Sequence, residues 1–361
     1  MRLTALLCPI TALAAPSAMR LTLVVAAILG VAACGSAPGP ARPNEPTSTA
    51  PASQTAPIRI GIALGGGAAK GFAHIGVIKM LEANGFAPAV VSGTSAGSVV
   101  GALYASGMNA FEMQEKAVAL DEAKIRDLQL SSGGLVLGQK LEDYVNEQVR
   151  RKPLEQMAKP FVVVATRLED GERTVFARGN TGQAVRASSS VPGVFQPVTI
   201  GKYHFVDGGI VSPVPVDAAR QLGADIVVAV DISNKARGQT PGNMLGALNQ
   251  SIAIMGQKLG QAELARADVI VRPQVLDIGP ADFTQRAAAI LEGEKAALAV
   301  IPQIRERIAQ LQAERARAAQ LAQQKVLEAE YQLCLEKRSR LQRLAGMAGM
   351  GEGCQAPAAA K

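Results

Sequence analysis

One pentapeptide constrains this chain more than any other feature: Gly93-Thr94-Ser95-Ala96-Gly97, a G-x-S-x-G pattern centred on a serine. Ahead of it, Ala89-Val90-Val91-Ser92 reads as a buried strand; behind it, the run Ser98 to Ala105 reads as a helix. A serine on so sharp a strand-to-helix turn is held clear of the backbone, and small flanking residues let the turn close. The helix start beyond offers unpaired N–H groups and a partial positive charge to an anion forming there. Turns rich in Gly and Ser are common, so the pentapeptide needs company before it means a nucleophile.

Upstream lies a second unit of the same kind. Ile58 to Leu64 reads as a strand, Gly65-Gly66-Gly67-Ala68-Ala69-Lys70-Gly71 as a loop, and Phe72 to about Ala83 as a helix. Such loops aim backbone N–H groups at an anion. A dinucleotide fingerprint starting at Gly65 needs its last glycine where Lys70 stands, and a Walker loop needs Ser or Thr where Gly71 stands, so both phosphate readings fail. An oxyanion hole survives, drawn from Gly65, Gly66, Gly67 and Ala68, with the amides of Gly66 and Gly67 facing the attacked carbonyl. A third block, Phe205-Val206-Asp207-Gly208-Gly209, places a carboxylate where the backbone turns sharply; taken alone, a turn or capping aspartate explains it equally well.

The blocks stand in the order G-G-G, G-x-S-x-G, D-G-G, with Arg186-Ala187-Ser188-Ser189-Ser190-Val191-Pro192-Gly193-Val194-Phe195 and Leu222 to Asp231 between or after them. In this the chain resembles the patatin-like phospholipases, bacterial branch, from about Ile58 to Ala297. Relative to the plant form G-G-G-x-[RK]-G, its loop has one residue more before the last glycine. The resemblance implies a three-layer α/β fold with a mostly parallel central sheet. It also implies a Ser–Asp dyad with Ser95 as nucleophile and Asp207 as base, with Gly93, Gly97, Gly208 and Gly209 shaping the turns. The substrate class it implies is acyl esters of membrane phospholipid or lysophospholipid, hydrolysed with no cofactor and no metal. Acyl transfer to an acceptor other than water and a catalytically silent lipid-binding lipoprotein are the alternatives.

Histidine arithmetic bears on the dyad independently. The chain has two histidines, His74 and His204, and no aspartate before Asp121. No histidine follows Asp207, so a triad in the order Ser, Asp, His cannot use that carboxylate. Ser95 with Asp143 or Asp170 and His204 remains formally open. His204 stands three residues before Asp207 on an expected strand and so faces the other side of the sheet. His74 reads as a packed helix residue. Lys70 is the rival base, since Ser–Lys pairs exist. A carboxylate base needs a dry site to raise its basicity, which the apolar neighbours Val206, Ile210, Val211, Val214 and Val216 suit.

Expected strands are 58–64, 89–92, 161–165, 226–230 and 269–271, continuous Val/Ile/Ala runs that suit a sheet covered on both faces. Between Met108 and Pro160 the chain reads as charged helical scaffold, broken at Ser131-Ser132-Gly133-Gly134. The domain expectation is 58–300 for the α/β unit and 301–361 for a helical extension, whose composition shifts at Pro302 towards Ala, Gln, Arg and Glu. There Ile301, Ile304, Ile308 and Leu311 form a stripe that Arg315 interrupts, which predicts a long amphipathic helix and a second short one. The net charge of +7 falls by two to +5 if Arg2 and Arg20 leave with a leader, and aromatics make up 3% of the chain, a balance that argues against a nucleic-acid partner.

Residues 1–33 read as a signal peptide, with a 13-residue apolar run from Leu21 to Ala33, too short for a span. Met19-Arg20-Leu21-Thr22 repeats Met1-Arg2-Leu3-Thr4, so the start can be Met19. Val31-Ala32-Ala33-Cys34-Gly35 resembles the bacterial lipobox, which implies lipidation of Cys34 and an outer-membrane position facing the periplasm. Residues 34–57 then form a tether rich in Ala, Pro, Ser and Thr. Cys334 and Cys354 would meet an oxidising compartment and can pair. Cys34→Ala should leave an unlipidated precursor, held by its leader or released to the soluble fraction; normal acylation and membrane partition of that variant would contradict the lipobox reading.

Overall fold

The structure is a computed structural model that describes residues 56–125, 127–131, 134–233, 242–345 and 353–356. The expected leader, Cys34 and nearly all of the tether lie outside the described residues. In chain order the elements are β1 (Ile60–Leu64), α1 (Phe72–Ala83), β2 (Val90–Thr94), α2 (Ala96–Ala105), α3 (Ala110–Val118), β3 (Leu128–Ser131) and β4 (Gly134–Val136). There follow α4 (Gln139–Gln148), β5 (Phe161–Arg167), β6 (Arg173–Phe176), α5 (Thr181–Ser188), β7 (Val198–Ile200), β8 (Tyr203–Asp207) and α6 (Val216–Gln221). The last are β9 (Ile226–Val230), α7 (Met244–Leu264), β10 (Val269–Val271) and α8 (Arg286–Ala345).

The valine-rich strands line up as β10-β9-β1-β2-β5, all parallel, because helical crossovers return the chain to the same end of the sheet each time. Alternate side chains feed two apolar layers. Ile62, Leu64, Val91, Val163, Val228 and Val230 pack with α1, α2 and α8 on one face. Ala63, Val90, Val227 and Ala229 pack with Val214, Val216, Ala219 and Leu264, which bring α6 and α7 to the other. The fold is therefore three-layer α/β.

The sheet is mostly parallel, as expected, and becomes antiparallel on one side. β6 and β8 both run antiparallel to β5, and β7 antiparallel to β8. Short connections force this: residues 168–172 join β5 to β6, and Gly201-Lys202 joins β7 to β8, too little chain for a parallel return. Val163 and Val164 pair with β2 and also with β6, so those two strands hold opposite edges of β5. Ala165 and Thr166 pair with β6 and also with β8, so β8 takes the same edge as β2. Thr94 pairs with Val164 and Asp207 with Ala165. Thus β2 and β8 meet end to end along one edge of β5.

The Met108–Pro160 segment holds a feature the helical reading lacked, the β3–β4 hairpin around its Ser/Gly break. The expected boundary at 300–301 falls inside α8, which runs through Pro302 without a break as far as Ala345, as one helix among the described residues of the extension. Its first part belongs to the domain core through Ala289, Ile290, Ala297, Val300, Ile301 and Ile304. Arg315, the residue that interrupts the apolar stripe, ties the helix to the domain at the Ala56 carbonyl (2.9 Å) and the Asp225 carboxylate. Farther on, Leu321, Val326, Leu327, Leu333 and Leu341 are exposed, and Cys334 is bonded to Cys354. Among the described residues no helix is long and apolar enough to cross a membrane.

Helices α1 and α8 cross at two glycines. A Cβ on Gly76 would lie 1.9 Å from the Ile290 carbonyl oxygen, and one on Gly293 would lie 2.0 Å from that of Ala73. Backbone cannot yield cheaply there. Gly76→Ala and Gly293→Ala should each lower unfolding stability by about 1–3 kcal/mol, the usual range for overpacking. Gly242→Ala, in open space, should change it little in the same urea titration. Equal midpoints for all three would contradict this crossing.

Candidate active site

The carboxyl ends of β1, β2 and β8 carry the three blocks singled out in the sequence. At the end of β2 the chain must reverse into α2 within one residue. Ser95 does so at φ 53°, ψ −123°, a left-handed conformation that a non-glycine residue holds only under constraint. The flanking glycines make the turn possible by close approach. A Cβ on Gly93 would sit 2.5 Å from the Gly97 carbonyl oxygen, and one on Gly97 2.0 Å from that of Leu64. The Ser95 amide donates to Ser188 Oγ (2.9 Å), whose hydroxyl donates to the Val164 carbonyl. The Ser95 carbonyl accepts from Ser98 Oγ (2.6 Å).

Asp207 arrives from the opposite direction at the end of β8. Its amide donates to the Ser190 carbonyl at 2.9 Å, and its carbonyl accepts from Thr166 Oγ1 at 2.8 Å, so the backbone is pinned on both sides. Gly208 fits against β5, where a Cβ would lie 2.2 Å from the Val164 carbonyl oxygen. The Gly209 amide donates to Asp207 Oδ1 at 2.7 Å. Ser95 Oγ donates to Asp207 Oδ2 at 2.6 Å. The two residues are 9% and 6% exposed, so the contact is shielded from bulk water. Burial pushes the Asp207 carboxyl up to about 6, against the opposing pull of its hydrogen bonds from Ser95 and Gly209.

The glycine loop narrows the expected set of oxyanion donors. The Gly65 amide donates to the Val230 carbonyl (3.1 Å) and the Gly66 amide to the Pro213 carbonyl (3.0 Å), so neither is left for a ligand. This corrects the expectation for Gly65 and Gly66. Gly66 is spacing instead: a Cβ there would stand 3.2 Å from that of Ser95. Gly67 and Ala68 open the 3-10 turn Ala68–Gly71, and Ala68 holds φ 54°. Among the described residues no protein acceptor takes the Gly67 or Ala68 amide. His74 is fully buried and donates from Nε2 to the Gly65 carbonyl (2.8 Å); burial lowers its pKa to about 4, so it is a neutral brace for the loop.

The other candidates fall away from the pair. His204 is 53% exposed at its side chain and bonds through Nδ1 to Glu169 at 2.8 Å. Asp170 is paired with Arg167, and Asp143 accepts from Gln139. Lys70 is buried in the turn and has a partner of its own. Among the described residues no group of His, Cys, Asp and Glu is placed to hold a metal ion. Sequence reasoning missed two supports, Ser188 under the nucleophile and Glu263 behind the Asp207 segment. Ser188 lay in a quoted block; Glu263 carried one faint signal, as the single acidic residue of α7. It is 5% exposed, accepts from the Val214 amide at 2.8 Å and from Ser212 Oγ, and burial pushes it up to about 7.

A serine hydroxyl at the start of a helix, a desolvated carboxylate bonded to it, and two open amides in the glycine loop that meets it at Gly66 form an arrangement suited to acyl transfer. Residues 62–220 match the family model for patatin-like phospholipase. An uncharacterised NTE family protein of Mycobacterium tuberculosis is 34% identical over 182 residues, 50% of this chain and 51% of the relative. The chain thus spans about half the length of that relative. The patatin-like phospholipase domain-containing protein 6 of Homo sapiens is 31% identical over 184 residues, 49% of this chain and 13% of that protein. The ExoU–SpcU complex of Pseudomonas aeruginosa aligns at TM-score 0.40 and 17% identity, covering 81% of this chain and 67% of that one. Over residues 62–220 the chain is similar to the patatin-like phospholipase family.

The raised Asp207 pKa has a thermodynamic sign. The folded state holds this proton more tightly than the unfolded chain, whose aspartate titrates near about 4. The associated stability is therefore full below that pH and is lost as pH rises through about 6. Asp207→Asn removes the buried charge and should be more stable to urea unfolding than wild type at pH 8 by on the order of 2 kcal/mol, with the difference shrinking towards pH 4. Equal or lower stability of the variant at pH 8 would contradict a desolvated carboxylate.

Proposed function

We propose that the chain is a serine acyl-ester hydrolase that releases fatty acid from membrane phospholipid or lysophospholipid. The observation that carries this reading is the buried 2.6 Å hydrogen bond from Ser95 Oγ to Asp207 Oδ2. As Oγ attacks the acyl carbonyl, its proton passes to Oδ2, whose raised pKa makes it a better base than a solvated carboxylate. The carbonyl oxygen, now an anion, faces the amides of Gly67 and Ala68 and the positive end of α2. Protonated Asp207 returns the proton to the departing alcohol oxygen, leaving an acyl ester on Ser95. Water then attacks that ester, gives its proton to Asp207, and the proton returns to Oγ as the fatty acid leaves.

The same reading places the protein in the cell envelope, anchored through a lipidated Cys34 and facing the periplasm at the outer membrane. The Cys334–Cys354 disulfide supports an oxidising compartment. Two acyl signals are needed for stable anchoring, which a diacylglycerol plus an amide-linked chain supplies.

Nucleophile and base should behave as one unit. Ser95→Ala and Asp207→Asn should each lower ester turnover by on the order of 10³ or more, and the double variant should be about as slow as either. A fluorophosphonate probe should label wild type at Ser95 and nowhere else. His204→Ala should stay active. Silence of His204→Ala alongside a working Asp207→Asn would replace the dyad with a histidine mechanism.

A further inference from the structure

The segment after Asp207 touches every block of the site. Ser212 donates its amide to the Gly208 carbonyl (2.8 Å), closing the turn that holds the aspartate. Its carbonyl accepts from Thr94 Oγ1 (2.8 Å), one residue before the nucleophile. The next carbonyl, that of Pro213, accepts the Gly66 amide of the glycine loop (3.0 Å), and the Pro215 carbonyl accepts Ser92 Oγ (2.8 Å). These bonds pull the strap towards β1 and β2. From the other side it is held by one carboxylate, that of Glu263, which accepts both from the Ser212 hydroxyl and from the Val214 amide at 2.8 Å.

We infer that Glu263 is a positioning residue for the hydrolysis proposed above, setting Asp207 and the glycine loop against Ser95 through the strap Gly208–Val214. The inference rests on that reading of the site. Two further observations bear on it. Helix α7 lies directly against the strap: a Cβ on Gly256 would lie at contact distance, 3.7 Å, from the Gly209 carbonyl oxygen, and one on Gly260 3.4 Å from the Pro213 ring. And a buried carboxyl is a costly way to make two hydrogen bonds, since burial works against its charge; Asp217 adds to that cost and Arg173 offsets it. Groups that cost stability in this way concentrate where geometry serves chemistry.

The test counts competent sites and their rate separately, by fluorophosphonate titration and then by kcat per titrated site on a water-soluble ester. Glu263→Ala frees one side of the strap and should lower kcat per titrated site by about ten- to a hundredfold, the scale of a sub-ångström to ångström misplacement, with KM little changed. Glu263→Gln keeps an acceptor for Val214 and a polar partner for Ser212, and should restore most of that loss. Ser212→Ala removes one arm and should cost about fivefold, the scale of one hydrogen bond; it reads the clamp even if Glu263→Ala does not fold. An unchanged kcat per titrated site in Glu263→Ala or Ser212→Ala, or a loss confined to the number of titratable sites, would overturn the inference. Wild-type protein that neither titrates nor hydrolyses esters would instead defeat the hydrolase reading beneath it.

Discussion

Much of this structure follows from a shared edge. β2 ends at Thr94 and β8 ends at Asp207, and both are paired to consecutive residues, Val164 and Ala165, on the same side of β5. Two strands running towards each other along one edge must both stop or turn where they meet. The serine elbow and the Asp207–Gly208 turn are the two ways out of that collision. Gly93, Gly97 and Gly208 each stand where a side chain would strike backbone, which is the local consequence of the same crowding. The hydrogen bond between Ser95 and Asp207 is then a product of register, because both side chains leave the sheet at the level of Ala165.

Placement at that junction also fixes the electrostatics. The pair is roofed by the layers that cover the sheet, so the carboxylate loses water and gains basicity, and the neutral His74 brace adds no charge to the loop. A histidine relay becomes unnecessary when the base is already in contact and already raised. The same burial works against the fold above the carboxylate's own pKa, and Glu263 adds a second charge of that kind behind the strap. Stability is spent where the chemistry needs it, while the α1–α8 crossing and the paired apolar layers hold the frame.

The three blocks of the site were legible in the sequence because close backbone approach demands glycine, and glycines at fixed spacing can be read without neighbours. Strand alternation separated His204 from Asp207 but left a triad with Asp143 or Asp170 open, and the exposure of the His204 side chain and its bond to Glu169 set it apart from the pair. The antiparallel β6 to β8 were not read from the sequence: β5–β6 and β7–β8 are local hairpins made of short strands, and the edge of β5 that β8 takes is decided by pairing between residues as far apart as Ala165 and Asp207. The amides of Gly65 and Gly66 were misassigned for a related reason: their acceptors, Val230 and Pro213, stand more than a hundred residues away. The break expected at 300–301 was a shift in composition, and α8 crosses it because Ile301 and Ile304 still face the core. Glu263 offered only its charge on a helix otherwise free of acid, and its role depends on a turn that the sequence does not bring near it.

The central claim is that a desolvated Asp207, with no histidine, takes the proton of Ser95. The most direct test is the pH dependence of Ser95 acylation, followed by rapid mixing of enzyme with an activated ester or fluorophosphonate. The account predicts a single rising ionisation near pH 6, where burial places the Asp207 carboxyl. A rate already level above about pH 4, the range of an ordinary aspartate, would contradict it.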